Sequence, residues 1–123
     1  MTPNTHSSII YIVDGDPALS LSAKCLLESR HEHVEIYDDA GQFLKNKDLR
    51  EDDTVLLDLN PKKPMAFKLF NQLLTSHRRP NIIVTSPANA ALKPNDVFPG
   101  DRIELLFHPI APEELMKAVE LTA

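Results

Sequence analysis

The sequence predicts an α/β domain: a five-stranded, doubly wound parallel sheet with helices on both faces. Two observations carry this prediction. Short, near-continuously apolar runs rich in β-branched residues alternate along the chain with longer stretches whose apolar residues recur at helical spacing. The apolar runs lack the in–out alternation of a half-solvated strand, as expected for parallel strands covered on both faces. Right-handed crossovers then bring ligands or reacting groups to the carboxyl ends of the strands.

Residues 8–13 (SIIYIV) read as the first strand, ending at Asp14. Asp16 and Pro17 open a helix, as an acidic N-cap and a first-position proline. Leu19, Ala23, Leu26 and Arg30 follow helical spacing, with Leu27 widening the apolar face. Residues 34–37 form a second strand, 39–44 a small helix, and 45–53 a charged loop. Residues 54–57 (TVLL) are the third strand, ending at Asp58. After a loop at 60–64, a helix carries Ala66, Leu69, Phe70, Leu73 and Leu74 on one face. Residues 82–84 form the fourth strand, ending at Thr85, and 103–107 the fifth. Pro112, Glu113 and Glu114 begin a last helix with Leu115, Ala118, Val119 and Thr122 at helical spacing, its acidic first turn suiting the helix dipole. Between strands four and five, residues 86–102 contain Pro87, Pro94, Pro99 and Gly100, which leave room only for a short helix around 88–92.

The 123 residues suffice for one domain, 1–123, with a hydrophobic core. With 42% hydrophobic and 25% charged residues the composition is globular, not disordered. Thirteen Lys and Arg against eighteen Asp and Glu give a net charge of −5, which argues against direct nucleic-acid binding by this domain. The single cysteine, Cys25, excludes an internal disulfide and reads as an inert packing residue among apolar neighbours. No apolar run approaches a membrane span and the first eight residues lack signal-peptide features, so the expected setting is the cytoplasm.

Asp14, Asp58, Thr85 and His108 fall at the ends of strands one, three, four and five. Two carboxylates, a hydroxyl and an imidazole gathered at one sheet edge suit phosphoryl transfer or metal binding. The bland alternative is that strand ends are polar because the chain is leaving the core there. That account weakens when all four positions are taken together.

These positions also carry a resemblance. Ile-Val-Asp14-Gly-Asp-Pro, Val-Leu-Leu-Asp58-Leu, Ile-Val-Thr85-Ser and Phe-His108-Pro-Ile followed by Pro112-Glu-Glu-Leu occur in the order and at the separations of a response-regulator receiver domain. The similarity runs from Ile9 to Leu121 and is closest to the FixJ-like branch of the family. It implies a CheY-like (flavodoxin-like) sheet of order 2-1-3-4-5. It further implies that Asp58 is the phospho-acceptor, Thr85 the switch hydroxyl and Leu105 the switch-aromatic position. Asp14, Asp58 and the Asn60 carbonyl would hold Mg2+. A histidine kinase or phosphotransfer protein would be the phosphodonor, and an effector domain or partner protein the target; a homodimer is compatible with the fold.

The pattern also departs from the family. Gly15 stands at the acidic position that touches the metal directly, and Asp16 is the neighbouring candidate to replace it, although successive side chains leaving a strand point apart. His108 replaces the phosphate-reaching lysine with a shorter group whose unperturbed pKa is about 6.5. Nearby carboxylates would favour its charged form; a histidine that merely ends the strand is the plainer reading. Leu105 is not aromatic, Pro61 and Pro64 are shifted relative to the usual loop proline, and Ala66 replaces a glycine. His108-Pro109 keeps an X-Pro bond for which cis is inexpensive. His31 and His33 read as a solvated strand edge, and Arg78-Arg79 as a solvated loop.

Two receiver readings follow. One is a working phospho-acceptor. The other, favoured by Gly15, His108 and the proline-broken segment, is a pseudo-receiver acting through protein contacts, with Mg2+ binding and phosphorylation weakened or lost. A third reading, from another class, takes Asp14 and Asp16 as nucleophile and acid/base of a haloacid-dehalogenase-like phosphatase. It needs a later lysine and a paired-acid motif, usually with more chain, and leaves Asp58 without a role. A flavin-binding flavodoxin relative fits less well, because the acidic loop 14–17 would repel a phosphate.

Overall fold

The computed structural model describes residues 8–13, 17–30, 32–45, 49–59, 64–76, 79–87, 103–108 and 110–122. Its strands are β1 (Ile9–Val13), β2 (His33–Tyr37), β3 (Thr54–Asp58), β4 (Asn81–Pro87) and β5 (Ile103–His108). Its helices are α1 (Pro17–Glu28), α2 (Ala40–Phe43), α3 (Pro64–Leu74) and α4 (Pro112–Thr122). The strands form one sheet, all neighbours parallel, in the order β2-β1-β3-β4-β5. This is the predicted doubly wound architecture.

Successive residues of a strand face opposite sides of the sheet, so each strand feeds two cores. Tyr11, Val13, Val55, Leu57, Ile82 and Val84 pack with Ala40 and Phe43 of α2 and with Ala66, Leu69, Phe70 and Leu73 of α3. Ile10, Ile12, Val34, Leu56 and Ile83 pack with Ala23 and Leu27 of α1 and with Leu115, Ala118 and Val119 of α4. Tyr11, Tyr37 and Phe43 form an aromatic trio on the α2 side, with centroids 5.0–6.0 Å apart and tilted or edge-on rings. Asp39 caps α2: its carboxylate accepts the Gly41 N–H at 2.9 Å.

Three sequence expectations are corrected. Cys25 is exposed and is not a packing residue. At about 100° per residue, it lies some 200° from both Ala23 and Leu27 and therefore points away from the face they bury. Among the described side chains of α1 the buried ones are Ser20, Ala23 and Leu27, with Leu26 half-buried and Arg30 exposed; the side chain of Leu19 lies outside them. Ser86 and Pro87 do not begin an irregular segment but extend β4, paired with Phe107 and His108. Pro87, which cannot donate to a ladder, is the last residue of the strand, where that lack is tolerated. The short helix expected around 88–92 lies outside the described residues.

Candidate functional site

The site is built at the carboxyl ends of β3 and β4. Asp58 is the last residue of β3, half-buried, and its register partner across the ladder is Thr85 of β4. Register partners in a parallel sheet project to the same face. Here Asp58 and Thr85 continue the rows of Leu56 and Ile83, which belong to the core under α1 and α4. The Thr85 hydroxyl Oγ1 donates to Asp58 Oδ1 at 3.0 Å. Just beyond, the Leu59 N–H donates to the Thr85 carbonyl at 2.8 Å. Two hydrogen bonds therefore join Asp58-Leu59 to Thr85. Leu59 is fully buried and Thr85 is 5% exposed, so water competes poorly for the hydroxyl.

The structure thus brings together two of the four predicted strand-end residues. Val13 is level with Leu57, so the end of β1 lies beside the end of β3. Asp14, which follows Val13, lies outside the described residues, as do Gly15, Asp16, Asn60 and Pro109. His108 ends β5 in register with Pro87, two ladder positions beyond the Thr85–Leu106 pair. Leu105 is register partner of Val84 and packs, half-buried, with the core under α2 and α3. It therefore serves the opposite sheet face from the Asp58–Thr85 pair. Two residues further along β5, Phe107 is 37% exposed.

Of the two histidines noted near β2, His31 lies outside the described residues. His33 Nε2 lies 3.4 Å from Glu35 Oε2, both well exposed, an ion pair only when the imidazole is protonated. Among the described residues no group of three or more His, Cys, Asp or Glu side chains is placed to hold a metal ion. In the sequence Asp53 is the last residue of the charged loop 45–53. The structure buries it at the start of β3. Its one sequence signal is its position as the last charge before an apolar strand.

No family model and no curated protein sequence matches the chain. Solved structures do. A CheY-like response-regulator receiver domain protein from Methanospirillum hungatei JF-1 is 24% identical, with TM-score 0.74 over 94% of this chain and 92% of that one. A response regulator from Colwellia psychrerythraea is 19% identical, with TM-score 0.78 over 95% and 98%. The receiver domain of the sensor histidine kinase PA1611 from Pseudomonas aeruginosa PAO1, solved with magnesium coordinated in its active-site cleft, is 19% identical, with TM-score 0.71 over 94% and 96%. The chain has the CheY-like receiver fold. No described helix is long and apolar enough to cross a membrane.

Proposed function

We propose that this chain is an atypical receiver domain of a two-component phosphorelay, a protein-interaction and regulatory module in which Mg2+-dependent phosphorylation of Asp58 is impaired or absent. The observation that carries the receiver reading is the Asp58–Thr85 pair at the ends of adjacent parallel strands in a 2-1-3-4-5 sheet. A carboxylate whose Oδ1 is held by a buried hydroxyl has a fixed orientation toward an incoming phosphoryl group. The same hydroxyl is suited to follow a phosphoryl oxygen once the carboxylate carries the phosphoryl group as an acyl phosphate. The magnesium in the Pseudomonas aeruginosa receiver supports the same use of this fold.

The impairment rests on sequence. Asp14, Asp58 and the Asn60 carbonyl would hold Mg2+, which when bound offsets the charge of the phosphoryl oxygens. Gly15 supplies no oxygen to that set, so it is one carboxylate short, and His108 supplies a weaker cation than lysine at neutral pH. The working-receiver alternative is favoured by the intact Asp58–Thr85 contact. In either case a histidine kinase or phosphotransfer protein is the proposed phosphodonor, and an effector domain or partner protein the proposed target.

Incubation with a small phosphodonor and Mg2+, read by mass spectrometry, separates the two. A slow or absent adduct on Asp58, made faster or longer-lived by Gly15→Asp with His108→Lys, supports impairment. Rapid, full modification of the wild type that disappears in Asp58→Asn establishes the working receiver instead. If the two replacements leave phosphorylation unchanged, the account of the lost groups is wrong.

A further inference from the structure

Asp53 lies at the other end of β3 from Asp58 and is 1% exposed. A carboxylate so far from water is costly unless its oxygens are hydrogen-bonded. Here Oδ1 accepts the Ile9 N–H and Oδ2 accepts the Arg50 N–H, each at 2.9 Å. The Asp53 carbonyl accepts the Asn81 N–H, also at 2.9 Å. Ile9 is the first residue of β1 and Asn81 the first of β4, and both strands flank β3. One residue therefore ties together the starts of three adjacent strands. An ionised carboxylate suits the place because it is acceptor-only at both oxygens. Asparagine would turn an NH2 donor toward one of the two backbone donors.

The ladders begin beside this residue. Ile10 is level with Thr54, and Thr54 with Asn81; four positions further along, Asp58 is level with Thr85. A slip of one residue would send every side chain of the displaced strand to the other face, taking the Thr85 hydroxyl away from Asp58. We infer that Asp53 is a positioning residue for Asp58: its carboxylate locks the start of β1 in register against β3, while its main-chain carbonyl joins β4 as any residue's would, and so it sets the alignment in which the acceptor carboxylate meets the end of β1. Its functional meaning rests on the reading of Asp58 as phospho-acceptor; the register lock itself does not.

The test uses the full chain, labelled for NMR. In the wild type, a through-hydrogen-bond scalar coupling is expected between the Ile9 nitrogen and the Asp53 carboxyl carbon, and its absence overturns the inference without any variant. Asp53→Asn, which keeps the volume, is compared with Leu27→Ala, a core truncation on α1 that leaves the Asp53 carboxylate and its partners in place. Asp53→Asn should speed hydrogen exchange at the Ile9 or Arg50 amide at least tenfold. It should also shift the Leu59 amide at the far end of β3 and, at equal folded fraction, slow any Asp58 phosphorylation more than Leu27→Ala does. Unchanged Ile9, Arg50 and Leu59 amides in a folded Asp53→Asn overturn the inference, as do equal Leu59 shifts in the two variants. Absence of phosphorylation in every protein bears on the reading of Asp58 alone, while the amides decide the role of Asp53.

Discussion

Thr85 shows how much of the site hangs on single atoms. Its hydroxyl is held in a nearly water-free position and donates to a carboxylate, the stronger sort of neutral-to-charged hydrogen bond. Thr85→Val keeps the shape and deletes the donor, and should cost about 1–2 kcal/mol. A lower urea midpoint at unchanged slope would report it, and a midpoint equal to wild type would deny the bond its worth. Cys25 gives a second residue-scale prediction. Because it is exposed and is the chain's sole cysteine, a thiol reagent should label the native protein at one site, as fast as it labels the denatured chain to within a few-fold. Asp58 and Thr85 were legible in the sequence because an apolar run that ends on a polar residue marks where a buried strand leaves the core. Asp53 was not: its burial depends on the amide of Ile9, 44 positions away, and no local pattern encodes that. Cys25 was misread because apolar neighbours along the chain are not neighbours around a helix.

Among the elements, α3 shows the plainest correspondence between pattern and structure. Ala66, Leu69, Phe70 and Leu73 were expected on one face and all four are buried, with Leu74 at the margin. Phe70→Ala should cost about 3–5 kcal/mol, measurable by thermal or chemical unfolding, since it leaves a cavity against the sheet. The four-residue α2 depends more on its cap than on its length, because so short a helix cannot sustain itself. Asp39→Ala should therefore cost about 1 kcal/mol and weaken the amide protection of Gly41 before that of β3. Every strand has a boundary that moved by a residue or more: β1 begins one residue later than expected, and β2, β3, β4 and β5 extend beyond the apolar run. β4 changed most, because Ser86 and Pro87 read as a break but lie level with Phe107 and His108.

At the scale of the molecule, the order β2-β1-β3-β4-β5 follows from the family resemblance rather than from periodicity, which fixes the kind of sheet but not the sequence of its strands. The sheet also divides the interior. The core under α2 and α3 and the core under α1 and α4 share strands but, among the described residues, no side chain. Leu27→Ala and Leu69→Ala, one from each, should thus destabilise additively to within about 0.5 kcal/mol in a double-mutant cycle. Leu69→Ala with Leu73→Ala, both in one core, should not. This division bears on how such a sequence can drift over generations. Changes tolerated on one side need no answering change on the other, so the two halves can diverge at different rates.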